Sequence, residues 1–185
     1  IGHLTTELAL ADITAYLDTL QALPGVQPGP VGVVGFCMGG RLALRAAGLA
    51  PQRVAACAGF HVSGLVTDQP DSPHLLIAGS TAEYLFAHAD NDRGLTPADS
   101  AALGDTIARA GLRGTSEIYA GSMHGYTMAD TAAWNQAAYH RAMDELRALF
   151  ARTLGESEAA ELDGRRGEIP AFAGMTGCSR SSSRA

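Results

Sequence analysis

The sequence predicts an α/β fold in which a mostly parallel sheet carries helices on both faces. Short apolar runs of the kind found in buried strands alternate along the chain with segments of helical periodicity. Their spacing is that of βαβ units, in which parallel strands are joined by helices that cover the sheet. The stretch 31–49 holds the clearest strand–turn–helix unit, and the functional interpretation depends on it.

Four strands are predicted, at residues 31–34, 53–60, 83–89 and 115–120. Helices are predicted at residues 4–23, 97–110 and 131–154, with a short helix at 74–79. A further helix is predicted to follow the turn after the first strand and to end before Pro51. The helix at 97–110 has the best-marked start, since Thr96 can cap it and Asp99 can occupy its third position. The last helix is predicted to place one apolar stripe on the sheet: Trp134, Ala138, Ala142, Leu146, Leu149 and Phe150.

The folded domain is predicted to cover residues 1–154. Residues 155–185 lack sustained periodicity and end in a Ser/Arg-rich segment, so a disordered tail that includes Cys178 is predicted there. The chain begins at Ile1, within a helical pattern, and this predicts a piece of a longer domain.

Composition excludes several classes of function. The net charge is −6 and the arginines are scattered, which argues against a nucleic-acid partner. No apolar run is long enough to span a membrane. The chain has no lysine, which excludes Schiff-base and pyridoxal chemistry, and no cofactor is predicted. Three cysteines match neither a disulfide framework nor a paired metal motif, so we expect a reducing, cytoplasmic location. No feature indicates an oligomeric state.

The segment GFCMGG, residues 35–40, has the layout of a nucleophile elbow with Cys37 at the nucleophile position. Such a turn strains the backbone of the nucleophile, and glycines two positions on either side, here Gly35 and Gly39, are expected where a Cβ would clash. The helix that follows directs its free N–H groups at the sulfur, so the Met38 N–H is predicted to stabilise an oxyanion. The alternative is a βα turn that only packs. The spacing of the glycines does not fit a dinucleotide fingerprint, and a Walker phosphate loop would need a lysine.

Two further candidate groups follow later strands. Asp92 follows the third strand, with Asp90 as a rival, and His124 follows the fourth. Thiol, carboxylate and imidazole thus appear at three strand ends in the order typical of α/β-hydrolases. A calcium loop at 90–94 fails the EF-hand pattern, whereas a metal site formed by His88, Asp90 and Asp92 remains an alternative.

The motifs GFCMGG, AHADND and MHGYTMAD together resemble the dienelactone hydrolase family of α/β-hydrolases. The resemblance covers residues 4–154 and implies a Cys37–Asp92–His124 triad, with strands missing before the elbow. It also places His61 in the substrate pocket, where we further expect Phe36 and Tyr126. Met128 stands where dienelactone-cleaving members have a carboxylate-binding arginine, so the resemblance does not imply that substrate.

The predicted function is hydrolysis of a small-molecule ester or lactone through a thioester acyl-enzyme. The resemblance implies that the missing strands supply a second oxyanion N–H, so this chain is expected to be a poor enzyme compared with a full-length form. The alternative is a non-catalytic or redox-responsive protein of the same fold, in which Cys37 is oxidised rather than acylated.

Overall fold

The computed structural model of the protein describes residues 5–155. Leu4, where the first helix is predicted to begin, lies outside the described residues, as do Cys178 and all of the predicted tail except Gly155. No helix within residues 5–155 is both long enough and apolar enough to cross a membrane.

Four parallel strands form one sheet in the order β1-β2-β3-β4. They are β1 (Val31–Phe36), β2 (Val54–Phe60), β3 (Glu83–Ala89) and β4 (Gly114–Tyr119). Each predicted strand is present within two residues of its expected ends. Because the strands are parallel, all four carboxyl ends lie at one edge of the sheet.

Residues 5–155 form four α-helices: α1 (Thr6–Ala22), α2 (Met38–Leu49), α3 (Pro97–Arg109) and α4 (Gln136–Leu154). The connection from β2 to β3 contains only a 3-10 helix, Pro73–Gly79, where a short helix is predicted. The capping box predicted for α3 is present: the Asp99 N–H donates to the Thr96 hydroxyl, and the Asp99 carboxylate accepts from the Thr96 N–H.

Helices cover both faces of the sheet, as predicted. On one face, side chains of α2 and α3 pack with alternate strand residues such as Cys57 and Phe86. On the other, α4 packs on the intervening residues, among them Phe60 and Leu85. The alternation follows from the two-residue repeat of a strand, and it explains why β2 and β3 are apolar nearly throughout.

The predicted start of the last helix is wrong. The helix α4 begins at Gln136 rather than at Thr131, and the Asn135 side chain caps it by accepting from the Ala138 N–H at 3.2 Å. Tight hydrogen-bonded turns occupy residues 125–134, so Trp134 precedes the helix and does not belong to its stripe. The spacing of apolar residues persists through these turns, and periodicity alone could not separate them from the helix.

Candidate active site

Cys37 is the single residue between the end of β1 and the start of α2. Its backbone has φ 52° and ψ −124°, a conformation that residues with a side chain adopt at a cost of about 1–3 kcal/mol. The Cys37 N–H donates to the Phe60 carbonyl at 3.0 Å, which ties the turn to β2. The strained strand–turn–helix geometry predicted for the elbow is therefore confirmed.

The glycines around the elbow do not all act as expected. A Cβ on Gly35 would overlap backbone atoms of Gly39 and Gly40, so the prediction holds there. At Gly39 it is wrong, because a Cβ would meet no atom within 4 Å. The second close approach is instead at Gly40, where a Cβ would overlap a methyl group of Val62.

His124 connects the other two candidate groups. Its Nε2 lies 3.1 Å from the Cys37 Sγ, and its Nδ1 lies 2.6 Å from the Asp92 Oδ2. The three side chains come from the carboxyl ends of β1, β3 and β4, at the edge where parallel strands bring them together. The Asp92 side chain is only 7% exposed, whereas that of His124 is 38% exposed and can be reached from solvent.

Three groups of the described residues hydrogen bond to the Asp92 carboxylate. Ser63 Oγ donates to it at 2.8 Å, the Gly94 N–H donates at 2.9 Å, and the His124 ring approaches from the other side. Burial by itself would raise the pKa of Asp92, but the hydrogen bonds from His124, Gly94 and Ser63 outweigh it and hold the pKa below its usual value. Asp92 is therefore a fixed negative charge beside the imidazole. The role of Ser63 was not predicted, because no sequence motif marks it.

The rival carboxylate, Asp90, has a different position. Its Oδ2 accepts from the Gly121 N–H at 2.7 Å, and its own N–H donates to the Ser122 carbonyl. Asp90 thus joins the ends of β3 and β4, and the carboxylate hydrogen bonded to His124 within residues 5–155 is that of Asp92. The structure brings Asp92, and not Asp90, to the imidazole.

The His61 ring packs against His124 on one side and against Tyr126 on the other. The ring centroid of His61 is 5.1 Å from that of His124 and 5.2 Å from that of Tyr126, edge to face in both cases. His61 is 1% exposed and Tyr126 is fully buried, with its hydroxyl donating to the Ala87 carbonyl. Of the three expected pocket residues, only Phe36 (42% exposed) presents a substantial surface to solvent. His61 instead packs against His124 from inside the protein, and Tyr126 packs against His61.

His61 is held in an unusual state. Its backbone φ is 43°, and its Nε2 lies 2.8 Å from the Thr127 hydroxyl, while its Nδ1 is buried without a partner. Burial, reinforced by a charge on His124, lowers the pKa of His61 to about 4. His61 is therefore neutral at pH 7, and it adds no charge beside His124.

Comparison with known proteins identifies the family. The sequence profile of the dienelactone hydrolase family matches residues 1–154. This chain belongs to the dienelactone hydrolase family. A Synechocystis sp. protein named as a carboxymethylenebutenolidase is 27% identical over 148 residues, which are 78% of this chain and 59% of that protein.

Solved structures agree on the fold. A Klebsiella pneumoniae protein named as a dienelactone hydrolase superposes with a TM-score of 0.73 at 18% identity, over 82% of this chain and 63% of that one. The dienelactone hydrolase-like promiscuous phosphotriesterase P91, from metagenomic libraries, gives 0.67 at 21% identity, over 80% and 62%. These dienelactone hydrolase relatives are all longer than this chain, which spans about three fifths of their length.

This dienelactone hydrolase family chain has a cleft of about 440 Å³ beside the elbow. Its walls are the exposed side of α2 and the loop after β2, and its lining residues are Met38, Arg41, Leu42, Arg45, Gly64, Thr67, Gln69, Asp71 and Pro73. A second cavity, of about 370 Å³, lies at the amino ends of the strands, near Pro30, Pro51 and Glu83. Of these two clefts within the described residues, the first lies on the side of the candidate catalytic groups, although Cys37 and His124 do not line it.

The three residues considered for a metal site have separate partners. His88 is buried in β3 and bonds Ser116 through its Nε2 at 2.9 Å, while Asp90 and Asp92 bond Gly121 and His124. Among residues 5–155, no group of three His, Cys, Asp or Glu side chains is placed to hold a metal ion.

Proposed function

We propose that this chain carries the hydrolytic site of a dienelactone hydrolase family enzyme that cleaves a small-molecule ester or lactone with Cys37 as nucleophile. The observation that supports this most strongly is the position of His124, with one ring nitrogen 3.1 Å from the Cys37 sulfur and the other 2.6 Å from Asp92. A nucleophile next to a base, which a third group orients, is the arrangement that covalent catalysis requires.

Acylation begins when His124 Nε2 takes the proton of the Cys37 thiol. The thiolate attacks the carbonyl carbon, and its electron pair forms the new C–S bond as the carbonyl oxygen becomes negative. Collapse of this intermediate breaks the bond to the alcohol oxygen, which takes the proton from His124 as it leaves. Asp92 accepts from Nδ1 throughout, so it keeps the imidazole in the tautomer that presents a free Nε2 to the thiol.

Deacylation repeats these steps with water. His124 takes a proton from a water molecule, the resulting hydroxide attacks the thioester, and the Cys37 thiolate leaves and regains the proton. Met38 is the first residue of α2, so its N–H has no acceptor within the helix and can donate to the oxyanion in both steps. Loss of one such donor typically lowers kcat about 100-fold to 1,000-fold.

A brief pulse of a p-nitrophenyl ester, followed by acid quenching and peptide mass spectrometry, tests the proposal. We expect an acyl adduct on the Cys37 peptide and release of p-nitrophenolate, and both should be lost in Cys37→Ala. Cys57 is the internal control, because it is fully buried and burial raises the pKa of its thiol, so it should stay unmodified.

The redox alternative requires that an oxidant can reach Cys37, which is exposed. The same experiment also tests this alternative. An oxidised Cys37 that never carries an acyl group, in a folded protein that releases no p-nitrophenolate, would replace hydrolysis with that alternative.

A further inference from the structure

We propose that Ser63 is a positioning residue for the reaction: from the loop after β2, its hydroxyl orients the Asp92 carboxylate toward His124. The inference rests on the proposed function, in which Asp92 keeps His124 in the tautomer that serves Cys37. The three candidate groups follow β1, β3 and β4, so Ser63 brings the end of the remaining strand, β2, into the site.

The loop that carries Asp92 gives the carboxylate little support of its own. The Asp92 side chain is only 7% exposed, although the residues on either side of it are exposed: Asp90, Asn91, Arg93 and Gly94. Within this loop, the Gly94 N–H donates to the carboxylate at 2.9 Å. Exposed loops are the parts of a protein that open most readily, so a catalytic group on such a loop needs contacts from elsewhere.

Ser63 supplies such a contact. Its Oγ lies 2.8 Å from Asp92 Oδ1 and 2.8 Å from Oδ2, so its one proton is shared between both oxygens. A donor equidistant from the two oxygens resists rotation of the carboxylate, because rotation moves at least one oxygen away from it. In the orientation that results, Oδ1 faces the Gly94 N–H and Oδ2 faces His124 Nδ1.

Backbone contacts hold the loop after β2 against the loop after β3. The Gly64 N–H donates to the Gly94 carbonyl at 2.8 Å. A Cβ on Gly94 would lie 2.5 Å from the Ser63 Cβ, so a side chain at position 94 would push the two loops apart. The distance between the Ser63 hydroxyl and Asp92 is therefore fixed by the backbone on both sides.

The turn that leads to Ser63 has an unusual backbone. His61, the first residue after β2, has a φ of 43°, in the left-handed region that favours glycine. Its N–H donates to the Ala87 carbonyl at 2.9 Å, and its ring packs against His124. One turn thus contacts two of the candidate groups, the imidazole through His61 and the carboxylate through Ser63.

The hydrogen bond from Ser63 affects the reaction through His124. A carboxylate that turns away leaves Nδ1 without its acceptor, and the ring then no longer presents Nε2 to the Cys37 thiol in a fixed tautomer. Of residues 63 and 64, Gly64 lines the cleft beside the elbow and Ser63 does not, in the part of the chain that the structure describes. Loss of the Ser63 hydroxyl should therefore lower kcat and leave KM unchanged.

Kinetics with a p-nitrophenyl ester test this expectation. In Ser63→Ala, kcat should fall about tenfold, the factor that corresponds to loss of one hydrogen bond to a charged group. Ser63→Thr keeps a hydroxyl and should recover most of kcat. Ser100→Ala is the matched control, because it removes another buried hydroxyl, one that bonds Ser116, and it should leave kcat unchanged.

Proton NMR measures the Asp92–His124 contact without requiring turnover. The Nδ1 proton of His124, hydrogen bonded to a carboxylate oxygen 2.6 Å away, should resonate far downfield of the backbone amides, and its signal is assigned by its loss in His124→Gln. We expect this proton to exchange with water about tenfold faster in Ser63→Ala than in the wild type. Exchange in Ser100→Ala should match the wild type.

Gly94→Ala provides a second route to the same result. Its methyl group would displace Ser63 while the hydroxyl and the residue 94 N–H both remain, so we expect faster exchange of the Nδ1 proton in this variant too. Circular dichroism checks that each variant is folded. Wild-type exchange in whichever of Ser63→Ala and Gly94→Ala is folded would refute the positioning role.

The two measurements separate this inference from the proposed function. Turnover in the wild type with an unchanged kcat in a folded Ser63→Ala would refute the positioning role and leave hydrolysis standing. A lower kcat with unchanged exchange would also refute it, because the loss would then not act through the contact between Asp92 and His124. A wild type that forms no acyl adduct on Cys37 would refute hydrolysis, whereas faster exchange in Ser63→Ala would still show that Ser63 orients Asp92.

Discussion

Gly35 is the residue at which the elbow leaves no room for a side chain. A methyl group there would overlap the backbone of Gly39 and Gly40, which belong to the first turn of α2 and cannot swing aside as a side chain would. We therefore expect Gly35→Ala to lower the free energy of unfolding by about 3 kcal/mol or more. Urea denaturation followed by circular dichroism measures the loss.

Gly39→Ala is the matched control, since a methyl group at Gly39 meets no atom within 4 Å. It lies in α2, where alanine is favoured over glycine by up to about 1 kcal/mol. Stability should be unchanged or slightly raised. Equal destabilisation by both substitutions would show that the elbow needs glycine for a reason other than the close approach.

Thr127 fixes the His61 ring, which packs against the proposed base, His124. Its hydroxyl is the one hydrogen-bond partner of the buried His61 ring within the described residues, since the His61 Nδ1 has none. Thr127→Val keeps the shape but leaves both ring nitrogens unsatisfied, which we expect to cost about 1–3 kcal/mol. Thermal unfolding measures this loss, and Thr127→Ser, which keeps a hydroxyl, should recover most of it.

At the scale of elements, Asn135 determines where α4 begins. Its side chain accepts from the Ala138 N–H, and its own N–H donates to the Tyr126 carbonyl at 3.1 Å, so the cap also anchors the loop after His124. Loss of such a cap costs about 1 kcal/mol. We expect Asn135→Ala to lower the urea midpoint accordingly and Asn135→Asp to preserve it. An unchanged midpoint in Asn135→Ala would mean that packing alone sets the helix start.

The elements differ in how far the sequence could predict them. β2 and β3 were predictable because a strand buried on both faces must be apolar nearly throughout. The convergence of Cys37, Asp92 and His124 was also predictable, since each follows a strand and parallel strands end together. The hydrogen bond from Ser63 to Asp92 was not predictable, because it depends on how two loops pack against each other. No local sequence motif indicates that packing.

At the scale of the whole molecule, buried histidines couple stability to pH. His61 and His88 lie within the fold with exposures of 1% and 0%, and burial lowers the pKa of each from 6.5 to about 4. Between these values the unfolded chain binds protons that the folded protein does not. Stability should therefore be fully present above pH 6.5 and fall as the pH drops toward 4, by up to about 1.4 kcal/mol per pH unit for each histidine.

His88 offers the cleaner test of this coupling, because its ring bonds Ser116 rather than a candidate catalytic residue, and burial outweighs the Asp92 charge, which acts to raise the His88 pKa. His88→Gln removes one of the two titrating groups, so its stability should fall less steeply than that of the wild type between pH 6.5 and 4. The substitution also removes packing contacts, but this loss lowers the free energy of unfolding equally at every pH. The slope of the stability curve above pH 6.5 therefore stays unchanged. Urea unfolding at half-unit steps of pH gives both curves. Parallel curves below pH 6.5 would mean that His88 takes up a proton in the folded protein as readily as in the unfolded chain, against what its burial implies.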